Sequence, residues 1–227
     1  MTTIWITRAQ PEADATAARV RAMGLKTEVA PLLAVRDLPG EIDLEGVGAV
    51  AFTSQSAVRA FTARCGERNL IAFAVGDATA AAAKAARFRT VLSTAGDVRT
   101  LAAGIAARRR TLGGEVLHAA AAEPAGDLVG DLKARGVRAR GIAIYETVTV
   151  EPPGAFLERL SDLDGVLLHS SKAGRRLAEI LGARALPRLA AYCLSPAVAA
   201  TLEGLTIGPV TVAPLPNEDA LLRLLPA

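Results

Sequence analysis

Val50-Ala51-Phe52-Thr53-Ser54-Gln55-Ser56-Ala57-Val58 and Val166-Leu167-Leu168-His169-Ser170-Ser171-Lys172-Ala173-Gly174 decide the fold, because they write one pattern twice. Each is a short apolar run, then small hydroxyl residues, then an amphipathic stretch. A second pair follows at similar distance: Ala72-Phe73-Ala74-Val75-Gly76-Asp77-Ala78-Thr79-Ala80 and Ala191-Tyr192-Cys193-Leu194-Ser195-Pro196-Ala197-Val198-Ala199. Outward from these, Gly24 matches Gly136 at an offset of 112, Ser54 matches Ser170 at 116, and Leu101 matches Leu221 at 120. Offsets that creep upward within one pattern are what a tandem duplication with small loop insertions leaves behind.

Four strand–helix units recur in the order a-b-c-d, a-b-c-d. Unit a is a strand over residues 4–7 with a helix over 12–23, and again a strand over 115–117 with a helix over 126–135. Pro11 stands where a first-turn proline is expected, and Gly24 and Gly136 suit helix ends. Units b and c are the quoted segments. Unit d is a strand over 90–92 with a helix over 97–107, and again 210–213 with 217–225, where Asp97 and Asn217 suit N-caps. Short apolar strands alternating with helices predict parallel sheets with helices on both faces.

Between a and b lies a β-rich connector, also present twice. Residues 29–35 run into Asp37-Leu38-Pro39-Gly40, and residues 142–150 run into Glu151-Pro152-Pro153-Gly154. Two matching extended connectors predict a double crossover. The expected architecture is α/β, with two similar lobes joined by a two-stranded β connector. Lobe 1 would combine residues 1–35 and 152–227, lobe 2 would span 38–144, and the connecting strands would be 29–37 and 142–151. The sequence alone also permits each repeat to fold on itself. Two such lobes offer one obvious place for a ligand, between them.

Composition narrows the class. The 227 residues are 51% hydrophobic with a mean hydropathy of +0.32, but only 4% aromatic, so the cores are built from Ala, Leu and Val. The net charge of +3 is spread along the chain, and Arg108-Arg109-Arg110 reads as a solvated helix end with no interleaved aromatic, so no nucleic-acid partner is expected. The N-terminus enters a strand without a signal-peptide pattern, and no apolar run reaches membrane-span length. A cytoplasmic location and no membrane partner are therefore expected. Cys65 and Cys193 read as two buried thiols, and His118 and His169 lack metal-ligand neighbours, so neither metal nor cofactor is expected.

The turns after strands b and c carry the chemistry. Small residues at strand ends followed by helix starts expose backbone N–H groups, aided by the helix dipole. Thr53, Ser54, Gln55 and Ser56, with Ser170, Ser171 and Lys172, add hydroxyl, amide and ammonium donors. Gly76, Asp77 and Thr79, with Ser195 and Pro196, complete the second pair of turns. All four would lie at the carboxyl ends of parallel strands, where open α/β sheets bind ligands. Such turns suit carboxylates or phosphates; the plainer reading is that Ser and Thr merely cap their helices. Phosphate-loop, dinucleotide and GxSxG signatures are absent.

Thr7-Arg8, Phe52-Thr53-Ser54-Gln55-Ser56-Ala57-Val58, Ala74-Val75-Gly76-Asp77-Ala78-Thr79-Ala80 and Tyr145-Glu146-Thr147 resemble the uroporphyrinogen-III synthase family, in order and over essentially the whole chain. The resemblance implies two α/β lobes, no cofactor, and a linear tetrapyrrole, hydroxymethylbilane, as substrate. Closure would invert ring D through a spiro intermediate. It also implies that Tyr145 serves the departing hydroxyl, against the alternative of a packed connector ring, and that Arg8 meets a substrate carboxylate, against a surface salt bridge. Trp5 reads as core and Asp77 as a helix cap. Departures from the family pattern are Leu168-His169, His118-Ala119-Ala120-Ala121 in place of an Arg-Gly, and Val198 in place of a threonine. A monomer in transient contact with the preceding pathway enzyme is expected. A non-catalytic two-lobed binder of a small anion and an inactive paralogue stay open as alternatives.

Overall fold

The computed structural model describes residues 2–94 and 96–226. In chain order the elements are β1 (Thr3–Ile6), α1 (Glu12–Ala22), β2 (Lys26–Val29), β3 (Leu33–Asp37), β4 (Val47–Phe52), α2 (Gln55–Arg64), β5 (Ile71–Ala74) and α3 (Asp77–Ala85). They continue with β6 (Thr90–Ser93), α4 (Val98–Ala106), β7 (Glu115–Ala121), α5 (Leu128–Ala134), β8 (Ala139–Thr149) and α6 (Gly154–Leu157). The chain closes with β9 (Gly165–Leu168), α7 (Ser171–Leu181), β10 (Ala190–Cys193), α8 (Pro196–Ala199), β11 (Val210–Val212) and α9 (Glu218–Leu222).

The chain divides into two compact units, unit 1 being Met1–Val35 with Val148–Ala227 and unit 2 being Arg36–Thr147. The unit 1 sheet has the order β11-β10-β9-β1-β2, and its pairs are parallel. The second sheet has the order β3-β8-β7-β4-β5-β6, with parallel pairs from β8 to β6. Read by repeat, each sheet takes its a strand from one half of the chain and its b, c and d strands from the other. That exchange is the crossover, and it is why β1 finds β9 about 160 residues away: Trp5 is level with Val166.

Both faces of each sheet are covered, so the strands are near-continuously apolar. In β1, Ile4 and Ile6 face α1 and α9, packing on Val20 and Leu221, while Trp5 faces the other way among Leu168, Leu177 and Val198. Trp5 is fully buried, its ring 4.9 Å edge-on from Phe156 and its indole N–H donating to the Ala30 carbonyl at 2.7 Å. In unit 2, α4 and α5 place Leu101, Ile105, Leu128 and Leu132 over one face. Near α2 and α3 the sparse aromatics concentrate, with Phe52 lying 5.5 Å from Phe61 and 5.6 Å from Phe88. Each such buried side chain contributes roughly 1.5–3 kcal/mol.

Three local expectations are corrected. The connector over residues 29–37 is not one strand: it is the end of β2, a break over residues 30–32 with a bend at Leu32, and then β3. Pro11 is the N-cap of α1 rather than its first helical residue. Cys193 is buried, but Cys65 is only half-buried. Gly24 and Gly136 do end their helices with φ of +85° and +71°. Gly48 interrupts the β4–β7 ladder between Val47 and Ala49, and a Cβ there would lie 1.9 Å from the Leu112 carbonyl oxygen.

Candidate functional site

Four strand-to-helix turns share one backbone. The N-cap residues Ser54, Gly76, Ser170 and Ser195 are all extended, with φ between −169° and −154°, before α2, α3, α7 and α8 begin. Extended N-caps leave the first-turn N–H groups of each helix directed past the strand end, where they have no intrahelical partner. Ser54 and Ser170 each spend their hydroxyl on one such group, accepting from the Ala57 N–H at 3.0 Å and the Ala173 N–H at 3.2 Å. Gly76 and Ser195 make no side-chain cap.

Unit 2 gathers the densest chemistry. The Ser54 hydroxyl lies 2.9 Å from the Tyr145 phenol oxygen, and the adjacent Thr53 hydroxyl lies 3.3 Å from His118 Nε2. Tyr145 comes from β8, His118 from β7 and both hydroxyls from the turn after β4, and the three strands are neighbours, with Phe52 level with Ala119 and Ala121 level with Tyr145. Tyr145 and His118 are buried. Burial pushes the His118 imidazole down to about 4 despite the nearby Asp127 charge, so it is neutral near pH 7. His118 also lines a cleft of about 520 Å³ walled by Ala120, Ala121, Gly126, Gly141 and Ala143. Gln55 is partly exposed, and Ser56 accepts from the Arg59 guanidinium at 2.9 Å.

The second turn of unit 2 departs from expectation. Asp77 does not cap α3: Gly76 occupies that position, and Asp77 accepts from the Ser93 hydroxyl at 2.8 Å. Thr79 is buried on the packed face of α3, so its hydroxyl is no rim donor.

In unit 1, Ser171 donates to the Ala197 carbonyl at 3.0 Å, tying α7 to α8; Lys172 and Ser195 are partly exposed, and Pro196 is exposed. Arg8 is committed elsewhere. Its guanidinium donates to Glu218 at 2.8 Å and Thr16 at 3.2 Å, and Glu218 also receives Arg19 at 2.8 Å and the Thr16 hydroxyl. His169 Nε2 stands 3.5 Å from the same carboxylate. Burial alone would raise the Glu218 carboxyl, but the nearby His169 ring, the Thr16 hydrogen bond and the Arg8 charge hold it well below the usual carboxylate range. Burial pushes His169 down. Arg8 is thus in an ion-pair network 210 residues wide in sequence, and His169, Thr16 and Glu218 were not foreseen. Among the described residues, no three His, Cys, Asp or Glu side chains group as a metal site would require.

A sequence profile for uroporphyrinogen-III synthase HemD matches residues 14–223. The chain belongs to the uroporphyrinogen-III synthase family. Two solved structures share the fold of this chain. The uroporphyrinogen-III synthetase from Helicobacter pylori is 18% identical, with 98% of this chain and 97% of that one aligned and a TM-score of 0.70. A mutant uroporphyrinogen III synthase from the extremely thermophilic bacterium Thermus thermophilus is 15% identical, with 98% and 96% aligned and a TM-score of 0.52. A search of curated protein sequences returns no match. As a family member the chain is a cyclising lyase of tetrapyrrole biosynthesis. Among the described residues no helix is long and apolar enough to cross a membrane.

Proposed function

We propose that the chain converts hydroxymethylbilane to uroporphyrinogen III without cofactor, with Tyr145 assisting departure of the hydroxyl. What supports this reading is the 2.9 Å contact between Tyr145 Oη and Ser54 Oγ at the N-cap of α2. Ser54 already accepts from the Ala57 N–H, so its own proton is free to point at the phenol oxygen. The phenol proton then points outward to the substrate. In the proposed reaction the substrate hydroxyl takes that proton and leaves as water, giving an azafulvene cation. The substituted carbon of ring D attacks the exocyclic methylene, the spiro intermediate breaks its bond to the ring C methylene, and ring D recloses inverted through its other α-carbon, whose proton restores the Tyr145 phenol. Anionic side chains of the substrate are held by the strand-end turns beside Tyr145, whose N–H groups and hydroxyls, among them Thr53 and Ser56, act in parallel. Holding a flexible chain so that the substituted carbon reacts first is where most of the rate arises, on the order of 7–11 kcal/mol at best.

The test is freshly generated hydroxymethylbilane with purified protein, followed by chromatography of the oxidised products. The type III isomer is expected, and only type I at high protein concentration would sink the reading. Tyr145→Phe should lower turnover roughly 10²–10⁴-fold with folding intact. Thr53→Ala or Ser170→Ala should cost less, because neighbouring N–H groups serve the same carboxylates. The reading includes a monomer acting in the cytoplasm, in passing contact with the enzyme that supplies its substrate; light scattering of the purified protein tests the first of these.

A further inference from the structure

The β7–β8 ladder slips at the residue before Tyr145. Ala120 is level with Ala143, but the next residue of β7, Ala121, is level with Tyr145, so Ile144 is one residue too many. A bulge of this kind bends its strand and re-aims the side chain that follows. Here it breaks the alternation of β8, and Ile144 and Tyr145 are buried in succession. The Ile144 carbonyl has its partners on the other edge of β8, the side of β3. The Leu38 N–H donates to it at 3.0 Å, and the Arg64 guanidinium donates through Nη2 at 3.1 Å.

Arg64 is the last residue of α2, the helix whose N-cap is Ser54. One helix therefore grips the bulge from both ends. Its first turn meets the Tyr145 hydroxyl through Ser54, and its last holds the carbonyl immediately before Tyr145. The same guanidinium donates through Nη1 to the Leu38 carbonyl and, at 3.2 Å, to the Gly40 carbonyl. A planar guanidinium reaching four carbonyls, these three and that of Ala60 in its own helix, performs a task for which an ammonium is a poor substitute.

We propose that Arg64 is a positioning residue for the cyclisation: it locks the bulge at Ile144 and so aims the Tyr145 hydroxyl, without itself touching substrate. This rests on the role given to Tyr145 above. Removing the guanidinium leaves the Ile144 carbonyl bonded to the Leu38 N–H, so the fold survives while the bulge gains freedom.

The test is a double-mutant cycle on freshly generated hydroxymethylbilane with wild type, Arg64→Met, Tyr145→Phe and the double variant. Alone, Arg64→Met should lower kcat roughly 10–100-fold with KM within about threefold, the scale of a small misplacement of a reacting group. In the Tyr145→Phe background it should change kcat less than about threefold, because the group it aims is gone. In protein labelled at the tyrosine ζ carbon, Arg64→Met should move the Tyr145 resonance and leave that of Tyr192 in place. Factors that multiply across the cycle, or an unmoved Tyr145 resonance, overturn the proposal while leaving the role of Tyr145 intact. A Tyr145→Phe variant of near-full activity overturns both, and the single variant alone reveals it. Should Arg64→Met not fold, Arg64→Lys takes its place in the same cycle, with a smaller but still non-additive loss expected.

Discussion

Glu218→Gln tests how far the unit 1 network holds the ends of β1 and β9 together. The carboxylate side chain is 26% exposed and receives Arg8, also 26% exposed, Arg19, 44% exposed, and the Thr16 hydroxyl. A net hydrogen bond to a charged group is worth about 1.5–3 kcal/mol when shielded, and an exposed ion pair about 0–1. Glutamine keeps the shape and one acceptor but turns an amide toward an arginine. The expected loss is about 2–3 kcal/mol, or roughly 4–12 °C in Tm at this chain length. The pH dependence is the sharper part. A carboxyl held below its ordinary range when folded contributes stability that is present above the unfolded pKa and lost as pH falls toward the folded one. The gap between wild type and Glu218→Gln should therefore be constant from pH 7.5 to about 5 and close only in stronger acid. Thermal unfolding followed by circular dichroism at pH 7.5, 5.5 and 3.5 measures it. A variant melting within about 1 °C of wild type at pH 7.5 would refute the reasoning. So would a gap that closed between pH 7.5 and 5.5, since histidine titrates there.

His118 acts in the same direction but in a higher pH window. Its folded pKa of about 4 lies below the ordinary 6.5, so the unfolded chain takes up the proton first and stability falls as pH drops below about 6.5. The shift corresponds to about 3 kcal/mol when complete, and His118→Asn should flatten denaturation free energy against pH between 6.5 and 4; an unchanged slope would show that His118 is not the group responsible. Gly48→Ala should be severely destabilising, about 3 kcal/mol or more, because its Cβ would sit 1.9 Å from the Leu112 carbonyl oxygen with only backbone to yield. Urea titration with a near-native midpoint would show that the β4–β7 irregularity rearranges cheaply.

The α/β class was legible because the duplicated turns carry their signal locally: Ser54 and Ser170 sit between apolar strand and amphipathic helix, and both cap as such residues do. The hydroxyls at the end of β4 were legible for the same reason. What escaped depends on distance or on backbone slip. Arg8 finds Glu218 across 210 residues, and nothing near Arg8 hints at it. Asp77 resembles a cap by type, but the N-cap position falls one residue earlier, on Gly76, so the aspartate is the first residue of the helix. The bulge at Ile144 leaves no mark in Ala143-Ile144-Tyr145-Glu146, which reads as an unbroken strand; only pairing with Ala120 and Ala121 exposes it. β2 was not read as a strand of its own, and its last residue, Val29, was joined to β3 because the break at residues 30–32 lies within an otherwise β-rich run.

The borrowed strand has a consequence for the ribosome. β1 is a central strand of its sheet, flanked by β2 and β9, and β9 begins at Gly165. At roughly 5–20 residues per second, the apolar Ile4-Trp5-Ile6 segment waits on the order of 8–30 s for that neighbour to be synthesised. Unit 2, being continuous, has all its strands beyond Arg36 in hand earlier and is free to fold during the wait. Nascent chains stalled before residue 165 should therefore present an unpaired β1 edge to chaperones beside a unit 2 already protected from proteolysis.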